Sequence, residues 1–117
     1  MARRLEDIFH EKNTMMVNGQ LVDANEIFYA ENTKTMDFTG RTTSNKAEHT
    51  QAMNEFLGSI AKVNEITLLN TAVGKDVTFA EFIFSFDMKD DSKIYWHEII
   101  LSNWKDGLIV EEQYFKG

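Results

Sequence analysis

The chain has no cysteine and no proline among its 117 residues. Lack of cysteine excludes disulfides, thiolate nucleophiles and cysteine-ligated zinc, a pattern that fits a reducing compartment and makes the cytoplasm the expected location. Lack of proline means that no turn depends on a fixed φ. No apolar run approaches the ~18 residues of a membrane-spanning helix, and the N-terminal stretch mixes charged with apolar residues rather than forming a signal-peptide core. The net charge is -7 and no basic run opposes it. Nucleic acid and anionic membrane surfaces are therefore not expected partners. Glycine-rich phosphate loops, serine elbows and dinucleotide fingerprints are missing too, which sets aside nucleotide-dependent and hydrolase-triad chemistry. The three histidines fall on separate stretches without metal-ligand spacing, so neither a metal nor a cofactor is expected.

What is present is a core. Hydrophobic residues make up 43% and aromatic residues 12% of the chain, against 26% charged. This balance predicts one folded domain spanning residues 1–117.

Leu5, Ile8, Phe9, Met15 and Met16 recur at helical spacing up to Asn18-Gly19, predicting a first amphipathic helix with its apolar stripe in the core. Asp23 and Glu26 have capping-box spacing, and Ala24, Ile27 and Phe28 then share one face of a short second helix ending near Ala30. Asn32 to Phe38 reads as a strand with Met36 and Phe38 on one face, closed by a Thr39-Gly40-Arg41 turn. Ser44 and Asn45, the latter with Glu48, cap a third helix whose stripe runs His49, Met53, Phe56, Ile60, Val63. Glu65 to Val73 is β-prone, and Gly74-Lys75-Asp76 leads into three further β-rich runs between Val77 and Phe115.

Alternation sorts those last runs onto two faces once the turns are set. Lys105-Asp106-Gly107 suits a three-residue hairpin loop, placing Trp104 opposite Leu108, and Lys89-Asp90-Asp91 suits another. The even-numbered face then carries Ala80, Phe82, Phe84, Phe86, Met88, Ile94, Trp96, Glu98, Ile100, Ser102, Trp104, Val110, Glu112 and Tyr114. Being richer in Phe and Trp, it should be concave and covered by the helices. Phe82, Phe84, Phe86, Trp96, Ile100 and Trp104 would line or fill the space between. The odd-numbered face, including Ile109, is apolar as well. Its Phe79, Ile83, Tyr95, His97, Ile99 and Leu101 predict a two-fold homodimer, with His97 and Glu81 making polar contacts.

Two carboxylates, Glu98 and Glu112, fall on the aromatic face of adjacent strands, diagonal to each other, with Tyr114 opposite Glu98. Burial and mutual repulsion should raise the pKa of at least one, setting a protonated donor beside an ionised base. Alternatively either one lies at an open rim or pairs with Lys12, Arg41 or another cation. His49 could face the same space as a base or shuttle, or be packed and satisfied by a backbone carbonyl. His10 should be at the surface.

Helix, helix, strand, long helix and curved sheet is the order of the cone-shaped α+β roll of the nuclear transport factor 2-like superfamily. The segment FYAENTKTMDFTG after Gly19 and the closing NWKDGLIVEEQYFKG resemble the corresponding segments of that superfamily. Among its branches the chain most resembles the SnoaL-like polyketide cyclases. The resemblance implies three helices in the N-terminal half packed on a curved, mainly antiparallel sheet, an apolar pocket and a dimer through the convex face. Some members, such as ketosteroid isomerase, use a carboxylate on the first strand as base, which places Asp37 among the candidates. The tyrosine of such isomerases has no counterpart, since Lys12 and Asn13 occupy its region, and their oxyanion-site acid falls at Ile100. Steroid isomerisation by that route is not expected.

Two functions are thus expected as alternatives. One is a cofactor-independent isomerase, cyclase or dehydratase moving a proton α to the carbonyl of a small, largely apolar compound. Asp37 or Glu98 would be the base, Glu112 or Tyr114 the acid or oxyanion donor, and His49 a helper. The other is a non-catalytic dimer that uses the same cone to bind a small apolar molecule or a protein.

Overall fold

The computed structural model describes residues 3–117. Three helices, α1 (Leu5–Val17), α2 (Leu21–Phe28) and α3 (Lys46–Gly58), pack on one face of a six-stranded sheet. The strands are β1 (Tyr29–Met36), β2 (Thr42–Thr43), β3 (Ile60–Val73), β4 (Val77–Met88), β5 (Lys93–Lys105) and β6 (Leu108–Lys116), in the order β2-β1-β6-β5-β4-β3. Only β1 and β6 run parallel. This is an α+β fold with a mainly antiparallel open sheet.

Helix α1 buries the expected stripe, with Phe9 in the core and Leu5, Ile8, Met15 and Met16 against it. It ends in a Schellman turn: Gly19, at φ 80, donates to the Met16 carbonyl and Gln20 to that of Met15. The turn delivers the chain straight into α2, which starts at Leu21 without a side-chain cap. Asp23 therefore sits inside the first turn instead of capping it. Ala24, Asn25 and Phe28 form the buried face, and Ile27, expected there, is 53% exposed.

Helix α3 has the expected cap, Asn45 accepting from the Glu48 amide (2.9 Å) while Glu48 accepts from the Ser44 amide (2.8 Å). It is shorter than its apolar pattern suggested. Ser59 turns back onto the Phe56 carbonyl through both amide and hydroxyl. Ile60 and Val63 consequently open β3 and do not extend the helix.

Strand β1 begins and ends earlier than expected, carries a register irregularity between Tyr29 and Lys34, and in its second half buries odd-numbered residues. Thr33 and Thr35 point inward and Met36 is exposed, so the expected Met36/Phe38 apolar face does not exist. Phe38 lies beyond the strand and folds back against Trp96. The chain turns over Gly40, whose φ of 90 favours glycine, and β2 pairs with β1, Thr35 opposite Thr43.

Burial alternates along β4 and β5 with the even residues inside. The loop Lys89-Asp90-Asp91 has three residues, as expected, with Asp91 at φ 69. The last hairpin differs. Asp106 (φ 54) and Gly107 (φ 79) are both left-handed, making a two-residue turn that suits the sheet twist. Lys105 is thus opposite Leu108 and Trp104 opposite Ile109, which is 0% exposed despite its odd number. A register shift next to Trp104 then returns even to even. The slip moves Tyr114 opposite Ile100 and Glu112 opposite Ser102, one row further from Glu98 than expected.

Candidate functional site

Between the even face and the helices lies a cavity of about 360 Å³. Its apolar wall comprises Met16 (α1), Leu21 and Ala24 (α2), Ala52, Met53, Phe56 and Leu57 (α3), Phe38, and Phe84, Phe86, Trp96 and Ile100 of the sheet. Trp96 stacks on Phe56 at 5.2 Å between ring centroids and meets Phe38 edge-on at 5.2 Å. Of the expected lining, Phe82 and Trp104 lie outside the cavity. Phe82 is fully buried in the core, and Trp104 donates its indole N–H to Thr78 (2.9 Å) nearer the start of α1.

Glu98 lines this cavity at 7% exposure. Among the described residues it makes no side-chain hydrogen bond and no ion pair. Burial, then the charges of Glu112 and Asp37, push its pKa up to about 7. It is close to half-ionised at neutral pH.

Glu112, at 1% exposure, is its opposite. Tyr29 and Tyr114 both donate to its Oε1, and the Ser102 hydroxyl donates to Oε2 at 2.6 Å. Burial pushes its pKa up, but the Lys12 charge and these three bonds outweigh that and leave it below the usual carboxylate range. The expectation that Glu112 could be a protonated acid is corrected: three donors hold it as an acceptor. Burial and the same charge push the two phenols well above the usual tyrosine range, so they stay protonated.

His49 is packed and satisfied. Asn25 anchors it, since its amide donates to Thr50 (2.5 Å) and its carbonyl oxygen takes the proton of His49 Nδ1 (2.6 Å). In the neutral ring Nε2 is then an acceptor, facing the Tyr114 hydroxyl at 3.2 Å. Burial lowers the His49 pKa, Glu112 opposes and Lys12 adds to the fall. The single Tyr114 proton thus has two acceptors, Glu112 and His49.

Asp37 stands at the cavity wall, in the turn after β1. Its Oδ1 accepts from the Thr39 amide (2.8 Å), the Thr39 hydroxyl (2.5 Å) and the Arg41 amide (3.1 Å). Those bonds build the turn and occupy the oxygen. His10 is exposed, and His97 bonds Glu81 at 2.6 Å on the outer face. Among the described residues no three His, Asp or Glu side chains gather as a metal site.

Two residues of the site, Tyr29 and Asn25, escaped the sequence reading, and Lys12 figured in it only as a candidate ion-pair partner of the glutamates. Tyr29 reaches Glu112 only because β1 runs parallel beside β6, a pairing that adjacency in sequence does not reveal. Asn25 lies one turn before Phe28, on the face that the helical period marks as buried. Lys12 follows Phe9 by three residues and precedes Met16 by four, so the apolar stripe contained it.

No family model and no curated protein sequence matches the chain. Solved structures do. A candidate SnoaL-like polyketide cyclase from Mesorhizobium loti superposes with a TM-score of 0.87 at 17% identity, covering 97% of this chain and 99% of that one. A nuclear transport factor 2-like protein of unknown function from Burkholderia pseudomallei gives 0.81 at 8% identity, over 97% and 90% of the two chains. A protein of ketosteroid isomerase-like fold from Catenulispora acidiphila, in complex with trimethylamine, gives 0.75 at 13% identity, over 98% and 86%. Identities this low speak of shape rather than chemistry. The chain has the α+β fold shared by SnoaL-like, ketosteroid isomerase-like and nuclear transport factor 2-like proteins.

Proposed function

We propose that the cavity binds a small, largely apolar carbonyl compound and that Glu98 moves a proton at its α-carbon, in an isomerisation, cyclisation or dehydration. Glu98 carries this reading: an unpartnered carboxyl, buried against aromatic rings, with a pKa of about 7. A base so placed is half-ionised at working pH and has no protein bond to break before it acts. Glu112, committed to Tyr29, Tyr114 and Ser102, is a positioning residue. A candidate polyketide cyclase and a candidate isomerase share the fold, which agrees with this reading. Proton NMR in deuterium oxide tests it, following loss of the α-proton signals of cyclohexanone and acetophenone. Exchange should rise with pH through about 7 as Glu98 ionises and vanish in Glu98→Gln. Equal rates in both proteins at pH 8 would refute it.

A second reading is binding without catalysis, of a small amine. Trp96, Phe38 and Phe56 beside the acidic Glu98 and Asp37 form a wall that attracts a cation, and a protein of similar fold holds trimethylamine. Trimethylammonium binding that strengthens above pH 7, together with no ketone exchange, would favour it.

A second copy of the chain is the proposed cover of the outer face. Tyr95 is 67% exposed there, and Phe79 and Phe115 are exposed beside half-buried Ile83, Ile99 and Leu101. Light scattering at micromolar concentration should give twice the 13.5 kDa chain mass; a clean monomer would sink the proposal.

A further inference from the structure

We propose that Lys12 is an imine-forming residue, its Nζ condensing with the carbonyl carbon of the compound held in the cavity. The inference rests on reading the cavity as a carbonyl site. Lys12 is 3% exposed and lines the cavity from α1. Its single side-chain hydrogen bond among the described residues runs to the Met16 sulfur at 3.2 Å, and its Nζ lies 5.7 Å from the Tyr29 ring centroid. A thioether is a weak acceptor. Among the described residues no carboxylate comes within ion-pair reach of it, and the oxygens of Glu112 already accept from two phenols and a serine.

The other buried lysine shows how this fold satisfies an ammonium that is only structural. Lys46 donates to the Glu26 carbonyl at 2.7 Å and lies 3.8 Å and 4.0 Å from the Glu26 and Glu31 carboxylates. Lys12 has no comparable set, although burying an unpaired ammonium is costly. Loss of a proton lowers that cost, and burial does push the Lys12 pKa down, against the pull of Glu112, so the neutral form is more accessible here than for a solvated lysine. A neutral amine in a cavity is a nucleophile.

The chemistry balances with groups of this chain. The Nζ lone pair attacks the carbonyl carbon, forming a C–N bond while the π pair moves to oxygen. That oxygen takes the proton displaced from nitrogen, giving a carbinolamine. The Glu98 carboxyl then protonates the hydroxyl, the C–O bond breaks, water leaves and an iminium remains. Ionised by that transfer, Glu98 removes the α-proton, and the electron pair settles on nitrogen as an enamine. Addition of water reverses the sequence and frees the amine.

Benzaldehyde, which has no α-proton, isolates the first half of this scheme. The folded protein is incubated with it and sodium cyanoborohydride at pH 7 and analysed by intact mass and peptide mapping. One benzyl group should appear first and dominantly on Lys12, ahead of exposed lysines such as Lys89 and Lys105, and be lost in Lys12→Arg. Label spread over the surface lysines with Lys12 spared would overturn the proposal without need of any variant. The two readings also fail separately. Glu98-dependent ketone exchange at full rate in folded Lys12→Arg would sink the imine and leave the proton-transfer reading standing. Lys12 labelling without ketone exchange in the unmodified protein would do the reverse.

Discussion

Replacing Glu98 by Gln keeps the shape of the side chain and removes its charge, so its effect on stability should depend on pH. In the folded protein the carboxyl has a pKa of about 7, against 4.5 when solvated. The native state therefore binds more protons than the unfolded chain between those values. Below pH 4.5 both states are protonated and the charge costs nothing. As pH rises the unfolded chain ionises first, and stability falls by about 1.36 kcal/mol per pH unit until the folded carboxyl ionises too. Above pH 7 the native protein carries the whole penalty, roughly 3 kcal/mol. Relative to the unmodified protein, Glu98→Gln should thus gain about 3 kcal/mol more at pH 8 than at pH 4.5, or roughly 10 °C in Tm for a chain of this length. The amide's own packing adds the same offset at every pH. Urea unfolding of both proteins across this range measures it. A gain independent of pH, or none at pH 8, would refute the claim that Glu98 is held near neutrality by its surroundings.

Glu112→Gln should act in the opposite sense: one acceptor oxygen becomes an amide NH2 that faces hydroxyl donors, and the negative charge that two phenols and a serine hydroxyl solvate is lost, at a cost of about 3–5 kcal/mol in urea unfolding at pH 7. Asp37→Ala removes three hydrogen bonds from the turn after β1 and should cost about 1–2 kcal/mol while leaving ketone exchange intact. If exchange collapses with stability unchanged, Asp37 is the base and Glu98 is not. Asn45→Ala should lose about 1 kcal/mol in the same melts, the worth of a helix cap, without altering the cavity.

Much of the architecture was legible because local rules agreed with one another. The Asn45–Glu48 cap, the Gly19 stop and the strict alternation of β4 and β5 each act within a few residues, where spacing and backbone preference suffice. The errors fell where that agreement stops. Ile60 and Val63 fit a helical stripe as well as a strand, and Gly58-Ser59 decided between them. One residue fewer in the Asp106-Gly107 turn, together with the register shift beside Trp104, moved Tyr114 and Glu112 a full row along the sheet.

From sequence alone came the α+β order, a concave aromatic face and the presence of Glu98, Glu112 and Tyr114 upon it, because side-chain parity is a property of each strand by itself. The division of labour between the two glutamates came only from the tertiary structure. Parallel pairing of β1 with β6 and docking of α1 bring Tyr29 and Lys12 towards Glu112 and leave Glu98 bare. Two identical carboxyls on one face thus differ in charge state, since a pKa depends on which donors and charges surround a buried group, and these arrive from elements far apart in the chain.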